Sequence, residues 1–320
     1  MPLFDAFLVV LGLVVFEVIS SIDNAVVNAD VLSTMSEKAR KWFLFYGILI
    51  AVFLVRGLLP LLIVWASSPE LGLWGTLTAA FSSDPHVAEV IDAQKPILLA
   101  GGGIYLVYLF FHWLFVEKKE YAFFFEKHIH HKLSFWFYAI VALILLVVVW
   151  GTIQTSPLIA LGAVIGSTAF FITNGFKENA EKKEEELVSG STVLSDFSKI
   201  LYLELIDTTF SIDGVLGAFA FTLSVPLIFL GNGIGAFVVR ALTIRGIETV
   251  KKYRYLKNGA MYSILMLGSI MTAEALGLHV VSWFPPLTTI SLVVFFFWLS
   301  KREMDMNARH EVVQNPMKDA

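Results

Sequence analysis

Long apolar runs recur along the whole chain, separated by short polar or charged stretches. Nine of them, at roughly 3–31, 42–65, 96–116, 135–155, 157–176, 200–223, 226–245, 259–278 and 285–300, have about the length a helix needs to cross a hydrocarbon core of about 30 Å. Strict alternation of apolar and polar positions, the mark of a half-buried strand, is not their pattern. The expected fold is therefore all-α: a polytopic transmembrane helical bundle of about nine spans, forming a single domain over residues 1–300. The fourth and fifth runs nearly touch, so one long re-entrant unit is an alternative there.

Basic residues fall in every other loop. Lys38, Arg40 and Lys41 follow the first run, Lys118 and Lys119 the third, Lys182 and Lys183 the fifth, Lys251 and Lys252 the seventh, and Lys301 and Arg302 the ninth. The intervening loops contain Lys95 alone. Positive residues stay on the cytoplasmic side, so the N-terminus is expected outside and the C-terminal tail, 301–320, inside. The expected location is the bacterial cytoplasmic membrane. Residues 66–95 form the longest extracellular loop, with room for an interfacial helix. Residues 177–198 read as a charged cytoplasmic helix and linker. Met1 to Asp5 lacks a basic leader, so the first run is expected to be retained.

Composition agrees with a lipid setting: 57% of residues are hydrophobic. There is no cysteine, which excludes disulfides, thiolate metal sites and dithiol redox chemistry. Nucleic-acid binding has no support beyond basic loops that topology explains. No nucleophile–base signature suggests an enzyme.

Acids inside the apolar runs are the informative exceptions. The first run reads Glu17-Val-Ile-Ser20-Ser21-Ile-Asp23-Asn24, and the sixth Asp207-Thr208-Thr209-Phe-Ser211-Ile-Asp213-Gly214. Superposing the two Ser-Ile-Asp triplets puts Glu17 on Asp207. The following runs repeat too: the step from Gly47 to Arg56 equals that from Gly231 to Arg240. Five runs separate the copies, so they cross in opposite directions. This is the pattern of an inverted-topology repeat, about 3–116 against about 200–278, common among secondary transporters.

A charged side chain at the bilayer centre costs roughly 2.5–3.5 kcal/mol on insertion scales. Glu17, Asp23, Asp207 and Asp213 must therefore be protonated, paired with Arg56 and Arg240, or neutralised by a bound cation. Ser20, Ser21, Asn24, Thr208, Thr209 and Ser211 offer neutral oxygens beside them, a hard ligand set suited to Mn²⁺, Mg²⁺ or Ca²⁺. Unwinding near Ser20–Asn24 would bring Glu17 and Asp23 to one site. Buried salt bridges that lock the bundle, and proton-coupled chemistry without a metal, are the alternatives. Glu204, one turn before Asp207, either joins the site or lies at its inner mouth. Arg240 either pairs with an acid or snorkels to the cytoplasmic face. Asn28 and Asp30 read as a helix-end pair, Asn174 and Asn232 as interhelical hydrogen bonders, His112 as a satisfied bundle histidine, and the glycine groups as close helix packing. Glu126 with His128, His130 and His131 reads as an interfacial segment or a metal cluster.

On Glu17-x-x-x-Ser21-x-Asp23-Asn24, Asp207-x-x-Phe210-Ser211-x-Asp213, Arg56 and Arg240, the chain resembles the TerC-like family of bacterial membrane proteins, named for tellurium resistance. It departs from that pattern at Gly214, where a hydroxyl residue is usual. The resemblance implies an inner-membrane helical fold linked to metal-ion homeostasis, notably manganese export, and to tellurite stress. It implies an ion site of Glu17, Asp23, Asn24, Asp207 and Asp213, with no tightly bound cofactor and a divalent cation, Mn²⁺ foremost, as substrate. The expectation is a divalent-cation transporter in the lipid bilayer, with a second copy or a membrane partner as a further candidate. The alternative is a non-transporting scaffold or stress-response component.

Overall fold

The computed structural model describes residues 3–67, 72–79, 85–117, 126, 134–188, 194–245 and 252–314. Among these there are helices and turns and no strand. Helix α1 (Leu3–Ser20) leads into α2 (Ile22–Ser33) through a single non-helical residue, Ser21. A short α3 (Glu37–Trp42) follows, capped by the Ser36 hydroxyl, which accepts from the Ala39 N–H. The chain then winds as π-helix over Phe43–Gly47 and Ile50–Leu58 before α4 (Leu59–Ser67). Pro60 adjoins the end of that stretch. It has no N–H to offer the Arg56 carbonyl four residues back, which favours a partner five residues on.

The remaining helices are α5 (Gly72–Ala79), α6 (Pro85–Phe115), α7 (Phe135–Ile153), α8 (Pro157–Val188), α9 (Asp196–Ala218), α10 (Val225–Arg245), α11 (Leu256–Ala275) and α12 (Phe284–Gln314). Helix α5 and the start of α6 lie within the expected outer loop, and α8 carries the expected cytoplasmic stretch on as helix as far as Val188. Seven segments are long and apolar enough to cross a membrane: Leu3–Ser20, Glu37–Ala66, Ala93–Phe115, Phe135–Ile153, Pro157–Ala180, Val225–Ile244 and Phe284–Met306. The near-contiguous fourth and fifth runs are two such helices, joined at 154–156. Helices α9 and α11, at the sixth and eighth runs, fall outside the seven; both carry several polar and charged residues.

Helix α6 is the central post. It packs against α8 and α11, and glycines set both distances. A Cβ on Gly101 would stand 2.9 Å from the Gly162 carbonyl oxygen of α8. One on Gly103 would stand 3.0 Å from the Gly268 carbonyl oxygen of α11. Backbones approach this closely only where side chains are missing, as in helix pairs that associate in lipid. Leu99, Ile104, Leu106, Tyr108 and Phe170 fill the surrounding core. On the outside, α7 presents Leu143, Leu146, Val147 and Trp150, all largely exposed, as expected of a lipid-facing side.

Candidate functional site

Helices α1, α2, α9 and α10 and the second π segment meet in the interior and bury a strip of charge. Glu17, on the last turn of α1, is 1% exposed. Arg56 grips one of its carboxylate oxygens twice: Nε donates to Oε1 at 2.9 Å, and Nη2 closes on the same atom. The Ser21 hydroxyl adds a bond to Oε1 at 2.9 Å. Glycines on the opposing helices make the space. A Cβ on Gly214 would lie 2.7 Å from Glu17 Oε2, and one on Gly235 2.6 Å from Glu17 Cβ. Gly214, the departure from the resembled pattern, is thus a contact residue of the first motif's acid. In this pair three donors converge on one carboxylate oxygen and the opposing glycines fit closely around the side chain.

The second pair is built differently. Asp207 Oδ1 accepts from the side-chain amides of Asn24 and Asn28, the latter at 3.1 Å. The two asparagines are four apart on α2 and so share a face. Arg240 Nη2 reaches Asp207 Oδ2 at only 3.4 Å, and its guanidinium stacks 4.4 Å from the Phe43 ring centre. Around this pair several shielded polar atoms have no hydrogen-bond partner: both Glu204 carboxylate oxygens, Asn24 Oδ1, Asn28 Oδ1 and Arg240 Nη1. Glu204 packs over Gly47, where a side chain would collide with its Oε1.

Asp213 and Asp23 lie apart from this strip. Asp213 is buried and paired with Lys177 of α8. Tyr105 of α6 donates to its Oδ1 at 2.6 Å and shares a bond of 2.9 Å with Thr173. Asp23 is half-exposed and pairs with Lys257 of α11 at 3.1 Å; Lys257 also holds Glu117 at 2.9 Å. Burial opposes ionisation of Glu117, but the His112 hydrogen bond and the Lys257 ammonium overcome it and hold the carboxyl down at about 2. Burial likewise opposes the charge on Lys257, yet Asp23 and Glu117 raise it above its ordinary range.

The expected gathering of Glu17, Asp23, Asp207 and Asp213 into one site is not the observed geometry. Only Ser21 leaves the helix between α1 and α2. Ser21 N–H to the Glu17 carbonyl (3.1 Å) and Ala25 N–H to the Ser21 carbonyl (2.9 Å) preserve helical spacing, so Asp23 stays on a different face from Glu17. Most of the hydroxyls also turn inward on their own helices. Ser20, Thr208, Thr209 and Ser211 donate to the carbonyls of Glu17, Glu204, Leu205 and Asp207, leaving Ser21 as the hydroxyl on a carboxylate. Among the described residues no group of three or more His, Asp or Glu stands together as metal ligands.

Two participants escape a sequence reading. Lys177 opens a Lys/Glu run that reads as solvated, and Asn28 reads as a helix end; the four-residue step from Asn24 to Asn28 is the signal that links them. Arg240 does not snorkel; it is 7% exposed. His112 is satisfied by Asn174, Glu117 and Glu178. Asn232 differs from expectation, being fully buried with neither side-chain polar atom bonded. His128, His130 and His131 lie outside the described residues, while Glu126 accepts from Asn258 at 2.9 Å.

No curated protein and no solved structure matches the chain. Over residues 22–307, which take in every acid and base of these clusters except Glu17, it belongs to the family described as "Protein of unknown function (DUF475)".

Proposed function

We propose that the protein is a multi-pass transporter that carries a small divalent cation, Mn²⁺ foremost, across the membrane through its buried acid–arginine strip. The observation that carries this reading is the meeting of two such pairs, Glu17–Arg56 and Asp207–Arg240, in the interior of a bundle of membrane-crossing helices. Ionisable residues at such depth are expensive and mark ion or proton pathways by default. In this reading α9 and α11 also cross, giving nine spans, and the two pairs belong to inverted repeats. The equal Gly-to-Arg steps and the matching pairing support that symmetry. Alternating access is then a rocking of one repeat against the other about the strip. The alternation of basic loops supports an N-terminus outside and a C-terminus inside a bacterial inner membrane. The resemblance to TerC-like proteins points to export.

One observation favours a second reading. Glu17, Asp23, Asp207 and Asp213 each have a cationic partner, so these four need no bound ion. A non-transporting scaffold held together by buried pairs has this property.

Flux of radioactive manganese into proteoliposomes separates the two. Transport predicts uptake by the wild type and its loss in Asp207→Asn. A well-folded wild type that moves neither manganese nor calcium nor magnesium would establish the scaffold.

A further inference from the structure

The acid–arginine pairs are chemically unequal, and the inequality locates a binding site. At Glu17 three donors meet one carboxylate oxygen, and no atom of the Glu17–Arg56 pair is among the shielded polar atoms without a partner. At Asp207 acceptors outnumber donors. Glu204 contributes two unmatched oxygens, Asn24 and Asn28 one each, against the single unmatched donor group of Arg240. Charge is also out of balance: Asp207 and Glu204 face one arginine. A buried oxygen without a donor forfeits its hydration for nothing, at about 1–3 kcal/mol per group. Native interiors keep few such atoms, so a cluster of acceptors beside excess negative charge is suited to a hydrogen-bond donor or a cation.

These groups share one level of the bundle. Just beyond α2, Ser36 bonds the Asp196 carboxylate and Thr34 accepts from Lys199 at 2.9 Å, while Asn24 and Asn28 reach Asp207. Rising numbers on α2 thus meet falling numbers on α9: the helices are antiparallel, and Asn28 lies on the Glu204 side of Asp207. Gly47 supplies the floor under Glu204.

We propose that Glu204, Asp207, Asn24 and Asn28 form the binding site for a hard divalent cation, and that Arg240 is its displaceable stand-in. Two carboxylates and two amide carbonyls give an all-oxygen ligand set of the kind Mn²⁺, Mg²⁺ and Ca²⁺ take, and one that thiophilic metals disfavour. Arg240 is suited to yield. Its contact with Asp207 is long, one of its nitrogens is idle, and the Phe43 face holds the guanidinium when the carboxylate turns to an ion. The Asn24 and Asn28 amides have their oxygens free because their nitrogens hold Asp207. The site thus departs from the one implied by the family resemblance: Glu17, Asp23 and Asp213 drop out, and Glu204 and Asn28 enter. It rests on the transport reading only for its purpose, not for its chemistry.

The test is cation-dependent thermal stability of the purified full chain in detergent, titrated with Mn²⁺ after chelator treatment. Wild type is expected to be stabilised in a saturable way, and Na⁺ not to substitute. Glu204→Gln removes a ligand while keeping shape, and it discards an unmatched carboxylate. It should melt no lower than wild type without metal and bind Mn²⁺ at least about tenfold more weakly. A purely structural Glu204 would give the opposite pattern, a lower melting point with Mn²⁺ affinity intact. Asn28→Ala should weaken binding in the same direction, and Glu37→Gln, at an exposed pair with Lys41, should leave it unchanged. No Mn²⁺ stabilisation of wild type, stabilisation by Na⁺ of equal size, or unaltered affinity in Glu204→Gln would overturn the site. Binding without flux in proteoliposomes would overturn the transport reading alone. Flux that survives Glu204→Gln would overturn this site and leave transport standing.

Discussion

At the scale of single residues, the contrast between Arg56 and Arg240 is measurable. Among the described residues Arg56 is Glu17's only cationic partner, and Gly214 and Gly235 press close on the same side chain. Arg56→Ala should cost about 3–5 kcal/mol, the usual penalty for orphaning a buried charge. Arg240→Ala should cost clearly less, because the Asn24 and Asn28 amides remain on Asp207. Denaturant unfolding in detergent, followed by tryptophan fluorescence, reads both; equal losses would show that the two pairs are equivalent. The arginines and the acids were legible in the sequence because a charge inside an apolar run has few explanations. Their partition was not. Periodicity places Asp23 away from Glu17 but cannot say that Lys257, far along the chain, waits for it. Lys177 was hidden by its neighbours, since a lysine at the head of a Lys/Glu run looks solvated until α8 is seen to carry it against Asp213.

At the scale of elements, glycine spacing decides which helices touch. The Gly101–Gly162–Gly166 contact lets α6 and α8 approach backbone to backbone, and α8 is the helix that delivers Lys177 to the α9 acid and Thr173 to the Tyr105 hydroxyl that donates to it. A Cβ on Gly162 would stand 2.5 Å from the Ile97 carbonyl oxygen. Gly162→Val should therefore push α8 outward at a cost of about 1–3 kcal/mol. It should also release Lys177 from Asp213, measured as faster reaction of Lys177 with an amine-selective acylating reagent. Labelling at the wild-type rate would mean that α8 holds its place by other contacts. The apolar runs foretold the helices well, because length and hydropathy suffice for that. The π winding after Phe43 was beyond them: it depends on which carbonyl each N–H takes as partner, and composition does not record that.

At the scale of the whole molecule, the alternation of basic loops makes a topology that chemistry can check. The chain has no cysteine, so each introduced one reports alone. In intact cells a membrane-impermeant maleimide should label Trp74→Cys, on α5 between the second and third runs, and spare Lys252→Cys and Lys301→Cys. The reverse pattern would invert the bundle. Seven helices pass on hydropathy, and α9 and α11 do not because they carry the polar residues that give the interior its chemistry. A π-helical turn, finally, holds a surplus residue that tighter winding would expel. Between Phe43 and Leu58 the chain holds such a surplus, as a crystal holds a dislocation. Removing it by return to α-winding would require Arg56 to turn about the helix axis, off the Glu17 carboxylate it holds. The equivalent stretch of α10 spans the same Gly-to-Arg interval in ordinary α-winding. The same Gly-to-Arg step is thus wound in two ways in one chain, wide before Arg56 and tight before Arg240.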